Sequence, residues 1–114
     1  MHELSIASSI VDTVLKEIDK QDLKKVLSIK LRVGVLTDIV PDSLQFGFDA
    51  LTADTVLAET KLEIETVSIK GICSGCNNYF EVEEFTFVCP NCSSYDIEMK
   101  QGNELDIAHL EVED

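Results

Sequence analysis

Cations are scarce in this sequence. Nine Lys and Arg stand against 22 Asp and Glu in 114 residues, a formal net charge of −13. A nucleic-acid binder needs a basic footprint to neutralise phosphates, so this balance argues against nucleic acid as a partner. Long apolar runs are also missing. No stretch approaches the roughly 18 consecutive apolar residues of a membrane span, so no membrane role is expected. The start lacks the basic region and long apolar core of a secretory signal, and we expect a cytoplasmic protein. Repeats and low-complexity tracts are not evident. There is no phosphate-binding glycine loop and no recognisable nucleophile–base pair, so nothing points to an enzyme. Cysteine is absent everywhere except one short segment.

What is present suffices for one modest core, since 45% of the residues are apolar. Leu4, Ala7, Ile10, Val11, Val14, Leu15 and Ile18 recur at steps of three and four. This predicts an amphipathic helix over about 4–20. Glu3 suits the positive end of its dipole, and Ser5 is the nearest capping candidate. Leu27, Ile29, Leu31, Val33 and Val35 alternate with Ser28, Lys30, Arg32 and Gly34, which predicts a strand over 25–36 with one buried face. Pro41 suits the first turn of a second helix, whose apolar side is Leu44, Phe48 and Leu51. KLEIETVSI reads as another strand, with a slip of phase before Val67 and Ile69. ELDIAHLEV reads as the last, behind the turn at Gly102–Asn103. The expected fold is α+β: two helices on a small three-stranded sheet, with an inserted four-cysteine subdomain of zinc-ribbon type. The corresponding division is 1–69 with 98–114 for the helical domain and 70–97 for the insertion.

The cysteines are Cys73, Cys76, Cys89 and Cys92, in the pattern C-x2-C-x12-C-x2-C. Each pair sits on a tight turn, helped by Gly75 and Asn77 in one and by Pro90 and Asn91 in the other. Two such turns face to face make a tetrahedral all-thiolate site, which suits structural Zn(II). Disulfides are disfavoured in a reducing compartment, and a redox C-x-x-C does not explain two pairs. Spacing alone does not separate zinc from iron. A closed four-thiolate site leaves no open position for catalysis.

The N-terminus reads Met-His-Glu. Histidine at the second position is too large for normal removal of the initiator methionine, so Met1 should remain. The Met1 amine, the His2 amide and the His2 imidazole can then close adjacent chelate rings, with Glu3 beside them as a further donor. Nitrogen donors in a plane suit Ni(II) or Cu(II) better than zinc. The plain alternative is a solvated histidine at a frayed end.

Taken together, MHELSIASSIV, KLRVGVL, PDSLQFGFDAL, the two C-x-x-C pairs and QGNELDI resemble the HypA/HybF family of hydrogenase nickel-incorporation proteins over nearly the whole chain. The resemblance implies a nickel metallochaperone with Met1, His2 and Glu3 at its Ni(II) site and the four cysteines holding Zn(II). It implies delivery of nickel to the [NiFe]-hydrogenase large-subunit precursor together with a HypB-type GTPase. Some members also serve urease maturation, and a homodimer is left open. Some members carry an acid just before the second helix. Here that stretch is DIVPDS, with Val40 and Pro41 at that place and Asp38 and Asp42 as the nearest acids. His109 reads as an ordinary strand residue. The competing reading is a zinc-ribbon adaptor that binds proteins but delivers no nickel, and an iron-bearing electron carrier is the other.

Overall fold

The computed structural model describes residues 3–113. The chain divides into two compact units. One comprises the chain up to Arg32, Ile39–Glu65 and Asp106 onward; the other comprises Val33–Asp38 and Thr66–Leu105. Two three-stranded sheets are formed.

In the first unit α1 spans Glu3–Gln21 and α2 spans Pro41–Thr52. The two helices pack on each other. Their sheet has the order β2-β1-β6, with β1 at Val26–Gly34, β2 at Lys61–Val67 and β6 at Leu105–Val112. Arg32 pairs with Asp106, and Ser28 meets Glu111. The order of partners is reversed along the two strands, so β1 and β6 run antiparallel. The core is built from Ala7, Ile10, Val11 and Val14 of α1, Ile29 and Leu31 of β1, Leu44 and Phe48 of α2, and Leu57 and Leu62. Thr60 would be a buried unpaired hydroxyl but donates to the Val26 carbonyl at 2.8 Å.

Three details depart from the periodicity. α1 begins at Glu3, so Ser5 lies inside the helix and does not cap it. Leu4 and Leu15 fall at the margins of the apolar stripe and are exposed. In β1 the expected inward residues Ile29, Leu31 and Val33 are buried, but Leu27 is 40% exposed while Val26 and Ser28 are buried. The burial phase shifts by one at the start of the strand. Ser28 tolerates this because its hydroxyl reaches the Glu111 carboxylate at 3.5 Å.

The second unit carries a sheet that the alternation did not reveal. β3 (Ile69–Cys73) is flanked by β4 (Tyr79–Val82) and β5 (Ile97–Gln101), in the order β4-β3-β5. Both pairings are antiparallel, with Ile69 opposite Val82, Gly71 opposite Phe80 and Cys73 opposite Ile97. The phase slip near Val67 marks the end of β2 and the entry into this other sheet at Ile69. Gln101 holds the corner by donating to the Ser68 carbonyl at 3.0 Å. Gly71 is bare for a reason: a Cβ there would lie 2.6 Å from Ile97 Cγ2. Val33–Asp38 joins the same unit through backbone bonds, Gly34 N–H to Glu104 O at 2.7 Å and Leu36 N–H to Gly102 O at 2.8 Å. The cysteine segment expected at 70–97 lies inside this unit. No helix among the described residues is long and apolar enough to cross a membrane.

Candidate metal centre

The two cysteine turns are built alike. In the first, Cys73 N–H donates to Asn78 O at 2.9 Å and Asn77 N–H to Cys73 O at 2.8 Å. In the second, Cys89 N–H donates to Ser94 O at 2.9 Å and Ser93 N–H to Cys89 O at 2.8 Å. Each turn needs one residue in the left-handed region, filled by Asn77 (φ 60°) and Ser93 (φ 63°). Asn at such a position is expected and Ser less so. Pro90 and Asn91 lie in the second turn, as expected, and Ser93 just beyond them takes its left-handed position.

These turns bring four sulfurs together. Cys73 and Cys92 Sγ are 3.5 Å apart, Cys76 and Cys89 Sγ are 3.6 Å apart, and all four lie within 4.8 Å of one another. Zinc–sulfur bonds of about 2.3 Å in a tetrahedron place sulfurs about 3.8 Å apart, so donor type, number and spacing fit structural zinc. Among the described residues this is the one converging group of three or more metal-ligating side chains. Cys73 and Cys89 are buried, Cys76 is half-buried and Cys92 is exposed.

The backbone prepares the sulfurs for a cation. The Cys76 N–H, helped by that of Gly75, holds the Cys73 thiol below its usual value despite burial. Burial pushes Cys89 up, but the amides of Cys92 and Asn91 with the neighbouring thiols outweigh it and bring it down to about 6. The Ser94 N–H favours the Cys92 thiolate, yet the crowding of Cys73, Cys76 and Cys89 overrides it and pushes Cys92 up to about 12. Four thiolates in one small volume repel, and a divalent cation removes that cost. Two side chains reach across between the turns: Asn91 Nδ2 is 3.6 Å from Cys76 Sγ, and Asn78 Nδ2 is 3.9 Å from Cys89 Sγ. Asparagines beside both pairs were the one visible sign of this outer support.

Of the N-terminal donors, Met1 and His2 lie outside the described residues. Glu3 opens α1, and its Oε2 accepts the Val40 N–H at 3.0 Å. Val40 is the N-cap of α2 and has no side-chain capping bond of its own, so a carboxylate from the other helix serves this positive helix end. Val40 thus meets Glu3 through its backbone. Asp42 is exposed in the first turn of α2, Asp38 is exposed in the left-handed region (φ 59°), and His109 is exposed on β6.

An α+β chain in two units, one bearing a closed four-cysteine metal centre, defines a metal-binding protein in which that centre is structural. The family described as hydrogenase/urease nickel incorporation, metallochaperone, HypA, matches residues 1–112. A hydrogenase maturation factor HypA from Methylocella silvestris is 40% identical, covering 99% of this chain and 100% of its own. Another, from Desulfitobacterium hafniense, is 38% identical and covers 100% of both chains. The solution structure of the Ni metallochaperone HypA from Helicobacter pylori has the same fold, with a TM-score of 0.67 and 23% identity over 98% of this chain and 97% of that one. The chain belongs to the HypA family.

Proposed function

We propose that this chain binds Ni(II) through Met1, His2 and Glu3 and hands it to the [NiFe]-hydrogenase large-subunit precursor in the cytoplasm, with a HypB-type GTPase as its partner. It carries metal and catalyses no reaction. The unit that contains α1 and α2 serves nickel, and the unit that contains Cys73, Cys76, Cys89 and Cys92 serves structural zinc.

The observation that carries this reading is the bond from Val40 N–H to Glu3 Oε2 at 3.0 Å. It ties the residue following the donor pair to the start of a second helix. A donor set joined to a fixed point loses less freedom on binding metal than one on a loose tail. The chemistry of delivery follows from the donors. Amine, amide and imidazole nitrogens must shed protons to bind nickel, so affinity rises with pH and falls when protons compete. A terminus lets a receiving protein displace the donors one at a time.

The test is one calorimetric nickel titration on three proteins: the native terminus, the same chain with an N-terminal extension, and His2→Ala. Tight binding is expected for the native chain alone, with zinc content equal in all three. If the extended protein binds as tightly, the Met1 amine is not a donor. If His2→Ala also binds unchanged, the chain is better described as a zinc-bearing adaptor.

A further inference from the structure

In an antiparallel pair every second residue turns its backbone groups away from the neighbouring strand. The bond from Cys73 N–H to Asn78 O at 2.9 Å fixes that phase for β4. Phe80 then bonds Gly71 and Val82 bonds Ile69, while Tyr79 and Glu81 point their N–H and C=O groups outward. β4 is an outer strand of its sheet, and no backbone bond among the described residues fills those outward groups. Edges are usually blunted by lysine, proline or a bulge. The opposite edge, β5, carries Lys100, and its pairing with β3 has a register irregularity; β4 has neither. Beside β4 lies a cleft of about 350 Å³, apolar at Phe80, Val88 and Pro90 and acidic at Glu81, Glu83 and Glu84. No ion pair among the described residues engages these three carboxylates.

We propose that β4 is a docking edge for an extended basic segment of a partner protein, which joins the sheet as a fourth strand. The segment's backbone fills the outward groups of Tyr79 and Glu81. Its apolar side chains enter the cleft, and its Lys or Arg side chains meet Glu81, Glu83 and Glu84. Charge selects this occupant over a second copy of the chain. Two copies paired through β4 would set three glutamates against three, and like charges facing each other across strands are destabilising. From Gly71 to Met99 there is no Lys or Arg to offset them. The proposal rests on the folded, zinc-loaded sheet and not on nickel binding.

The experiment uses the full zinc-loaded chain, with zinc per chain counted first by elemental analysis. The probe is a capped hexapeptide of alternating valine and arginine. Its controls are the same peptide with glutamate in place of arginine, and the same peptide with every amide N-methylated. Amide hydrogen exchange is read by NMR. With the probe about tenfold above its dissociation constant, exchange at Tyr79 and Glu81 should slow about tenfold. Phe80 and Val82, already bonded to β3, should change little. The triple variant Glu81→Gln, Glu83→Gln, Glu84→Gln should keep its zinc and bind the probe about tenfold more weakly. Slowing at β2, β5 or β6 instead, or at no strand, overturns the proposal. Equal binding of the glutamate peptide denies the charge selection. Equal binding of the N-methylated peptide leaves charge attraction without an added strand, and overturns it too. Protection of Tyr79 and Glu81 in the concentrated chain alone, with a doubled mass, makes the edge an interface between copies and overturns the basic partner.

Discussion

Gly47 sits in the middle of α2 facing α1, where a Cβ would come to 3.4 Å from Leu4 Cδ1 and 3.5 Å from Ala7 Cβ. Those are ordinary packing distances, so the glycine is not required by a clash. It costs helix propensity instead, and Gly47→Ala should stabilise the chain by about 0.5–1 kcal/mol, seen as a higher midpoint in urea. A lower midpoint would show that the two helices pack more tightly than these distances indicate. Asp106 offers a pH test. Its carboxyl is held below the usual carboxylate range by hydrogen bonds from Arg32 Nε and Nη2, with the Arg32 charge adding to them and partial desolvation opposing. A depressed folded value contributes stability above the unfolded value of about 3.9, and that contribution is lost as pH falls through the folded value. Asp106→Asn should lower stability slightly at neutral pH and converge with the native chain in strong acid, so its acid limb is flatter; an unaltered acid limb would deny the pair any part. The ion pair lies at the surface, so the effect is small. Single residues were unevenly legible in the sequence. Ile29, Leu31 and Val33 announced their burial by alternation, but Ser28 is buried through Glu111, which lies 83 residues away. Glu3 was legible as a helix-end acid and a donor. Its bond to Val40 was not, because no local rule links a residue to an amide 37 positions on.

Among elements, the helices and the strands β1, β2 and β6 were readable because each has a polar and an apolar side. Strands β3, β4 and β5 were not. They are four or five residues long, too short for an alternation to stand out. What holds them is legible in another way, through the cysteine spacing. Buried apolar side chains in this sheet come down to Ile69, Val82 and the cysteines, too few to stabilise a sheet alone. Folding should therefore be coupled to metal. Removing zinc with a chelator, or replacing Cys89 with Ala, should abolish amide protection across residues 69–101. Gly34 and Leu36 should lose protection in the same step, because their amides bond Glu104 and Gly102. The amides of α1 and α2 should stay protected. Hydrogen exchange read by NMR decides this residue by residue. Protection lost uniformly along the chain would mean that the ion also supports the helical core. Protection kept at Gly34 and Leu36 would detach that segment from the metal-bound sheet.

At the scale of the whole molecule, the dominant feature is charge. The net value is −13, and from Gly71 to Met99 there is no Lys or Arg at all. Four thiolates around a divalent cation add two further negative charges there. Such a surface raises the local concentration of cations, nickel included, and repels other acidic surfaces. Under the proposed function, a protein that receives nickel from this chain should therefore approach with a basic face. Charge steering acts mainly on the association rate and is screened over about 8–10 Å at physiological salt. Under the proposed function, the rate of association with a HypB-type GTPase should fall steeply as salt rises from about 0.05 to 0.5 M, while the dissociation rate changes little. Surface plasmon resonance separates the two rates. Apolar docking makes the opposite forecast, because high salt leaves apolar burial intact or strengthens it. The most exposed large apolar side chains of the helical unit, which would carry such docking, are Leu4, Val40, Phe46 and Val56. An association rate flat with salt, combined with a faster dissociation in Phe46→Ala, would move the interaction from the acidic surface to this apolar set.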